Sequence, residues 1–305
     1  MLWLNHPSYQ RACDEVRQRL TRKLFRLKRL RPIIFFCGGK GSARRDRLNE
    51  YLRKYRDWLS FYADEVFQVL TEAEPDANAL KIESELAELA DAIIVIAESP
   101  GTFAELGAFA LSDALRAKLL PIVDSRYKKE PSFLRVGPIR WVDNDSRVGP
   151  AIWADFSVIL TVADKVLERL DRHLPPLTSQ DIRRIELRKS RRHLLLLVVL
   201  TTEILGPASV EQVQHFLEGI IGPGLQKDIK TLVALAKSLG LVRRIAFRGD
   251  TLYYKYPISA SVGEMETLNP VAVARLRTHI LSAIQKIPAA VEALELLAKE
   301  LGHAA

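Results

Sequence analysis

The residues best suited to chemistry lie together in Glu98–Phe109, E-S-P-G-T-F-A-E-L-G-A-F. Before them, Ile93–Ala97 is a short run rich in β-branched residues, the composition of a fully buried strand. Glu98-Ser99-Pro100-Gly101 is a turn cluster, and Phe103–Lys118 has apolar residues at helical spacing. A strand running into a glycine-containing turn and a helix start is where open α/β sheets place ligands. Glu105 is expected in the first turn of that helix, its carboxylate pointing back into the crevice, where the helix N-terminus would keep it ionised. The same spacing has a structural reading. Thr102 and Glu105 form T-x-x-E, a capping box in which the glutamate satisfies a backbone N–H. Glu98 at the strand end, the Pro-Gly turn and a second glycine turn upstream favour the catalytic reading, with Ser99, Gly101 and Thr102 forming a substrate-binding turn.

That upstream turn is Gly38-Gly39-Lys40-Gly41-Ser42, which follows the apolar run Pro32–Cys37. Its glycines let backbone amides approach a phosphate or ribose closely. The spacing fits neither G-x-x-x-x-G-K-[ST] nor G-x-G-x-x-G. Further strands are predicted at Trp58–Tyr62, Leu119–Val123 and Ile139–Val142, with helices at Ala43–Tyr55 and Ala79–Leu89. Alternating strands and helices over Pro32–Val142 predict a mostly parallel, Rossmann-like α/β sheet covered on both faces. Asp64, Glu98 and Asp124 then fall on one edge of it.

The chain has 305 residues, 48% of them apolar, and a net charge of +8. Two domains fit that length, and the basic balance suggests a polyanionic partner, nucleic acid before membrane. Cys13 and Cys37 are too few for a disulfide framework or a zinc site, so a reducing, cytoplasmic compartment and no metal are expected. The arginine-rich start lacks an apolar signal core. Leu194–Leu200 is far shorter than a membrane span and reads as a buried helix. Val16–Arg45 holds eleven Lys or Arg residues and no acid. Most of Asp14–Leu30 is predicted helical, with leucines 20, 24, 27 and 30 as its apolar stripe. Its basic positions form either a solvated face or a phosphate-binding surface.

Pro150–His173 has a helical pattern that stops at Leu174-Pro175-Pro176, the clearest boundary in the chain. Helices are predicted at His193–Leu205, Val210–Leu217 and Leu225–Leu239. Two extended runs, Leu241–Phe247 and Thr251–Tyr256, flank the hairpin signal Arg248-Gly249-Asp250. Three helices followed by a hairpin is the order of a winged helix-turn-helix. Lys227 and Lys230 on the third helix, with Arg243, Arg244, Arg248 and Lys255 on the hairpin, are the candidate nucleic-acid contacts. Such modules also dock proteins. Helices opened by Pro270 and Pro288 follow. The expected division is an α/β domain over 1–175, a basic linker over 176–192, a winged helix over 193–262 and a helical segment over 263–305.

The motifs I-I-F-F-C-G-G (Ile33–Gly39), F-Y-A-D-E-V-F (Phe61–Phe67), Glu98–Phe109 and S-F-L-R-V-G-P-I-R (Ser132–Arg140) resemble the effectors of type II retron defence systems. Those effectors join a nucleoside deoxyribosyltransferase-like domain to a C-terminal winged helix. The resemblance implies an N-glycosidase acting on NAD or a related nucleotide as substrate, without a cofactor. It also implies assembly with the retron reverse transcriptase and its multicopy single-stranded DNA–RNA hybrid (msDNA), which restrain the toxin until infection, and a higher-order oligomer. Glu105 corresponds to the family's essential glutamate, and its usual aspartate partner would be Asp64 or Glu98. Two alternatives stand beside this one. The first is a DNA-binding regulator whose α/β domain only senses a nucleotide. The second rests on S-P-G-T-F-A-E, which resembles the P-G-G-x-G-T-x-x-E of lysine-decarboxylase-like phosphoribohydrolases but lacks a glycine.

Overall fold

In a computed structural model, residues 3–21, 25–66, 79–174, 180–182, 190–255, 262–265 and 268–303 are described. The chain divides into two compact units, Arg31–Pro176 and a second made of Met1–Leu30 with Leu177–Ala305.

Within Arg31–Pro176, five strands lie side by side: β1 (Ile33–Cys37), β2 (Leu59–Tyr62), β3 (Ala92–Ala97), β4 (Leu119–Asp124) and β5 (Ile152–Ala154). All pair in parallel, in the order β2-β1-β3-β4-β5. Every residue of β1, β3 and β4 is buried, which is why these strands read as unbroken apolar runs rather than alternating ones. The connecting helices are α1 (Ala43–Arg53), α2 (Ala79–Leu89), α3 (Pro100–Leu111), the single turn α4 (Asp113–Arg116), α5 (Arg140–Asp145) and α6 (Ala163–His173). Ile34 and Phe36 pack with Leu48 and Leu52 of α1 and Val166 and Leu170 of α6. Phe35 faces the other way, stacked on Phe61 at 4.7 Å and tilted against Phe109 of α3 at 6.1 Å.

Three expectations for this unit change. Ile139–Val142 is not a strand: a π-turn over Arg135–Ile139 leads directly into α5. The fifth strand is Ile152–Ala154, and Pro150–His173 is therefore strand, 3₁₀ turn (Ile159–Val162) and α6 rather than one helix. Three residues are too few to show a period, so the helical pattern around them dominates the sequence signal. The helix predicted over Phe103–Lys118 breaks at Ser112, whose extended backbone separates α3 from α4.

The other unit also departs from expectation. Its N-terminal helix runs Pro7–Thr21, not through Leu30. Phe25–Leu30 is instead the middle strand of a three-stranded antiparallel sheet, between Gly263–Met265 and Gln180–Ile182. These first thirty residues, expected in the first domain, belong with the C-terminal unit because their strand partners and packed helices lie there. Arg17 donates to the carbonyls of Phe216 (3.2 Å) and His215 (3.0 Å). Of the expected linker, 176–179 and 183–189 lie outside the described residues.

Helices Arg191–Leu205, Val210–Ile221 and Gln226–Ser238 follow, then the antiparallel hairpin Arg243–Phe247 with Asp250–Tyr254. Ala208 bridges Tyr253, which ties the turn between the first two helices to the hairpin. Arg248 and Gly249 both have positive φ (50° and 82°), as a two-residue type I′ turn requires. This is the helix and hairpin order expected over 193–262. Among the described residues no helix is long and apolar enough to cross a membrane, and Leu194–Val199 is buried within Arg191–Leu205.

Candidate active site

The strand order places a topological switch between β1 and β3, where neighbouring connections leave the sheet in opposite directions. Open parallel sheets bind ligands outside the carboxyl ends of the strands at such a point. Here those ends carry Gly38-Gly39 and Glu98-Ser99. The Gly39 amide donates to Glu98 Oε1 at 3.1 Å, joining the two turns across the switch. Glu98 Oε2 accepts from Arg44 at 2.8 Å, so this carboxylate, only 8% exposed, is occupied on both oxygens.

Helix α3 follows directly on Glu98-Ser99. Ser99 is its N-cap and Pro100 its N1 residue. The capping box closes between Ser99 and Thr102. The Ser99 hydroxyl accepts from the Thr102 amide (3.4 Å), and the Thr102 hydroxyl accepts from the Ser99 and Glu98 amides (2.9 and 3.0 Å). Thr102 is therefore the third helical residue and Glu105 the sixth, one turn deeper than expected. The capping role that the T-x-x-E spacing offered to Glu105 is taken by Thr102, and the glutamate side chain is left for other work.

Glu105 is half-buried, and its Oε2 is buried with no hydrogen-bond partner among the described residues. The Cys37 thiol at the end of β1 is a neighbour of this carboxylate and favours its charged form. Burial first, and then repulsion from Glu83 on α2 and from Asp64, raises the Glu105 pKa to about 7, against the help of Cys37 and Arg45. This corrects the expectation that the helix N-terminus keeps Glu105 ionised. Five residues in, desolvation outweighs a dipole effect confined to the first turn. Burial and Asp64 also raise Glu83, and burial raises the Cys37 thiol.

Arg45 is the cation of this cluster. Its side chain is 6% exposed, its Cζ sits 3.9 Å from the Tyr62 ring centroid, and it bridges Asp64 (3.3 Å) and Asp46 (3.1 Å). Gly38 makes that placement possible, because a Cβ there would lie 2.9 Å from Arg45 Cβ. Of the predicted carboxylates, Asp64 thus joins the Glu105 cluster through Arg45 and by direct repulsion. Glu98 serves the turn. Asp124, at the end of β4, is clamped by the Arg126 backbone (2.9 Å) and guanidinium (2.7 Å), which lowers its pKa.

Cys37, Arg45 and Glu83 are not among the sequence candidates. Glu83 carries a signal all the same: it falls three and four residues before Leu86 and Ala87, on the apolar stripe of α2, where a carboxylate is out of place. Among the described residues no group of three or more His, Cys, Asp or Glu is arranged to hold a metal ion.

The candidate nucleic-acid residues divide by environment. Arg243, Arg244 and Arg248 are exposed on the hairpin, Arg248 pairing with Glu292, and Lys255 pairs with Glu203 at 2.7 Å. Lys230 is half-buried, and the Lys227 side chain lies outside the described residues.

A parallel sheet of this order, with a desolvated glutamate beside its switch point, defines an α/β protein of Rossmann-like class followed by helical and hairpin parts. The chain belongs to the retron effector family, since the model of the STM3845 retron effector protein matches residues 40–244. A relative from Escherichia coli, named as a retron Ec86 putative ribosyltransferase/DNA-binding protein, is 38% identical over 135 residues, 42% of this chain and 44% of the relative. Another from the same organism, named for retron Ec73, is 37% identical over 126 residues, 39% of this chain and 40% of the relative. Each match spans less than half the length of the curated relative.

Proposed function

We propose that this chain is the toxic effector of a retron anti-phage system, an N-glycosidase that releases nicotinamide from NAD or cleaves a related nucleotide. The observation that carries this reading is the half-buried Glu105 carboxylate beside the switch point, with one oxygen unpartnered among the described residues and acidic neighbours on two elements. Cleaving the C1′–N bond of NAD sends its electron pair to the pyridinium nitrogen, so neutral nicotinamide leaves without a strong general acid. Positive charge builds on the ribosyl ring, and a carboxylate either stabilises it or attacks C1′ before water completes the reaction. A cationic substrate entering the site favours the ionised form of Glu105. Arg45 fixes Asp64 at the rim, and the Gly38-Gly39, Ser99, Gly101 and Thr102 backbone supplies the substrate-binding turns. The names of the Ec86 and Ec73 relatives, which pair ribosyltransferase with DNA binding, agree with this division of labour.

In this reading the effector is cytoplasmic and oligomeric, and it is restrained by the reverse transcriptase and msDNA until infection. The hairpin arginines Arg243 and Arg244 are the candidate msDNA contacts. Their exposure also favours the second reading, a DNA-binding regulator whose α/β unit senses a nucleotide without consuming it. One experiment separates the two: wild type and Glu105→Gln are expressed with their retron partners, cells are infected, and NAD is measured. Depletion in wild type alone is the expected result. Unchanged NAD in wild type rejects the glycosidase, and nucleotide loss in both proteins rejects the role of Glu105.

A further inference from the structure

On the α1 side of the sheet edge lies a cavity of about 680 Å³, whose walls include Arg44, Arg47, Phe156, Val158, Leu160 and Thr161. It does not include Glu105, yet it is built onto the same turns. Arg44, which forms one wall, donates to Glu98 Oε2 at 2.8 Å, and Glu98 Oε1 accepts from Gly39 at 3.1 Å. Arg44 is further fixed by the Phe156 carbonyl (2.7 Å) and lies 5.2 Å from the Phe156 ring centroid.

Arg44 and Arg47 are both exposed, and Arg47, unlike Arg44, makes no ion pair among the described residues. It stands three residues along α1, on the same face. Asp155, which adjoins this wall in sequence, is already engaged, accepting from the Ser157 amide (2.8 Å) and hydroxyl (2.7 Å). The remaining wall is mostly apolar, interrupted by Ser157 and Thr161, and Val158 and Leu160 stay 51% and 43% exposed although large and hydrophobic. A volume of several hundred Å³, mostly apolar with a few convergent polar groups, is the usual make-up of a small-molecule site. A guanidinium at the rim selects phosphate oxygens, and the Phe156–Leu160 wall suits a flat heterocycle.

We propose that this cavity binds the phosphate-bearing half of a nucleotide, a nucleoside diphosphate, with Arg47 meeting the phosphates and Phe156, Val158 and Leu160 the base. The inference rests on the glycosidase reading and deepens it by placing the phosphates and base of the substrate in a cavity lined by residues other than Glu105.

The test is calorimetric titration of the full chain carrying Glu105→Gln, which removes turnover, with ADP, adenosine, inorganic phosphate and a short single-stranded DNA oligomer. ADP is expected to bind at least tenfold more tightly than adenosine or phosphate. Arg47→Ala removes that advantage, and Leu160→Asp, which places a negative charge on the apolar wall, weakens ADP to a similar degree. Both positions are exposed, so circular dichroism should show unchanged folding. Equal affinity for ADP and adenosine overturns the proposal, as does an Arg47→Ala protein that still prefers ADP. Phosphate binding as tightly as ADP would show a bare anion site, and Arg47-dependent binding of the oligomer without ADP would show a nucleic-acid surface; either sinks the nucleotide site. Failure of the glycosidase reading is seen separately. Wild type would then release no nicotinamide from NAD while ADP still bound through Arg47.

Discussion

The Thr102 amide donates to the Ser99 hydroxyl, and the Thr102 hydroxyl accepts from the Ser99 amide; together they close the start of α3 one turn before Glu105. Because the helix is capped without it, the glutamate can occupy a desolvated position that no stability argument requires. Breaking this box tests that division. Thr102→Val keeps the side-chain volume and removes the hydroxyl, and should cost about 1 kcal/mol in urea unfolding, the usual worth of a cap.

Glu105→Gln is expected to lower glycosidase turnover by roughly a thousandfold or more, as loss of an essential carboxylate does. It should also stabilise the protein at high pH. The folded-state pKa of about 7 lies above the ordinary 4.5, so the folded protein binds the extra proton. Stability from this group is full below pH 4.5 and is lost as pH rises through 7. The glutamine variant should therefore gain roughly 1–3 kcal/mol over wild type at about pH 8 and almost nothing at about pH 4. Chemical denaturation at the two pH values checks the sign.

If the ionised glutamate acts on a cationic leaving group, kcat/KM for NAD rises with pH through about 7 and then levels. Glu83→Gln removes a repulsive neighbour and should move that limb toward acid by a fraction of a pH unit to one unit. A limb that falls with rising pH would instead mark Glu105 as a general acid for a neutral base.

Gly38→Ala and Gly101→Ala should behave differently. At Gly38 a new Cβ meets Arg45 at 2.9 Å, so the cation is displaced from Tyr62 and Asp64, with about 1–3 kcal/mol lost and activity reduced. At Gly101 the nearest atom is Ser99 Oγ at 3.9 Å, so the fold tolerates the change. Any activity loss at Gly101 then reports close approach of substrate to that turn.

The strand, turn and helix around Glu105 are legible in the sequence because β3 is buried on both faces and so is continuously apolar. The turns at Gly38-Gly39 and Glu98-Gly101, and the acids at strand ends, follow from that. Arg45 is not legible, since in a basic stretch nothing local distinguishes the arginine that tucks under a glycine. Phe25–Leu30 reads as helix because its pairing partners, 180–182 and 263–265, are more than a hundred and fifty residues away. Its leucines and basic residues suit a helical stripe equally well until those strands are known.

Arg243→Ala with Arg244→Ala should weaken msDNA binding and flatten its salt dependence, the slope falling by about one for each phosphate no longer neutralised. Lys255→Ala, whose ammonium is held by Glu203, should change binding less and local stability more. Filter binding at several salt concentrations distinguishes the two.

Residues 31–176 are threaded as one insert through a unit whose parts come from both sides of it. During synthesis the insert has its five strands and α6 once residue 173 has emerged, and it can close while everything after it is still unmade. The enclosing unit must wait for strand 263–265 and for helix 270–284, whose His279 meets Glu15 of helix 7–21 at 2.8 Å. The half that bears Glu105 is therefore born first, ahead of the half that carries the hairpin arginines. Any partner that engages the later half meets an insert that has already taken shape.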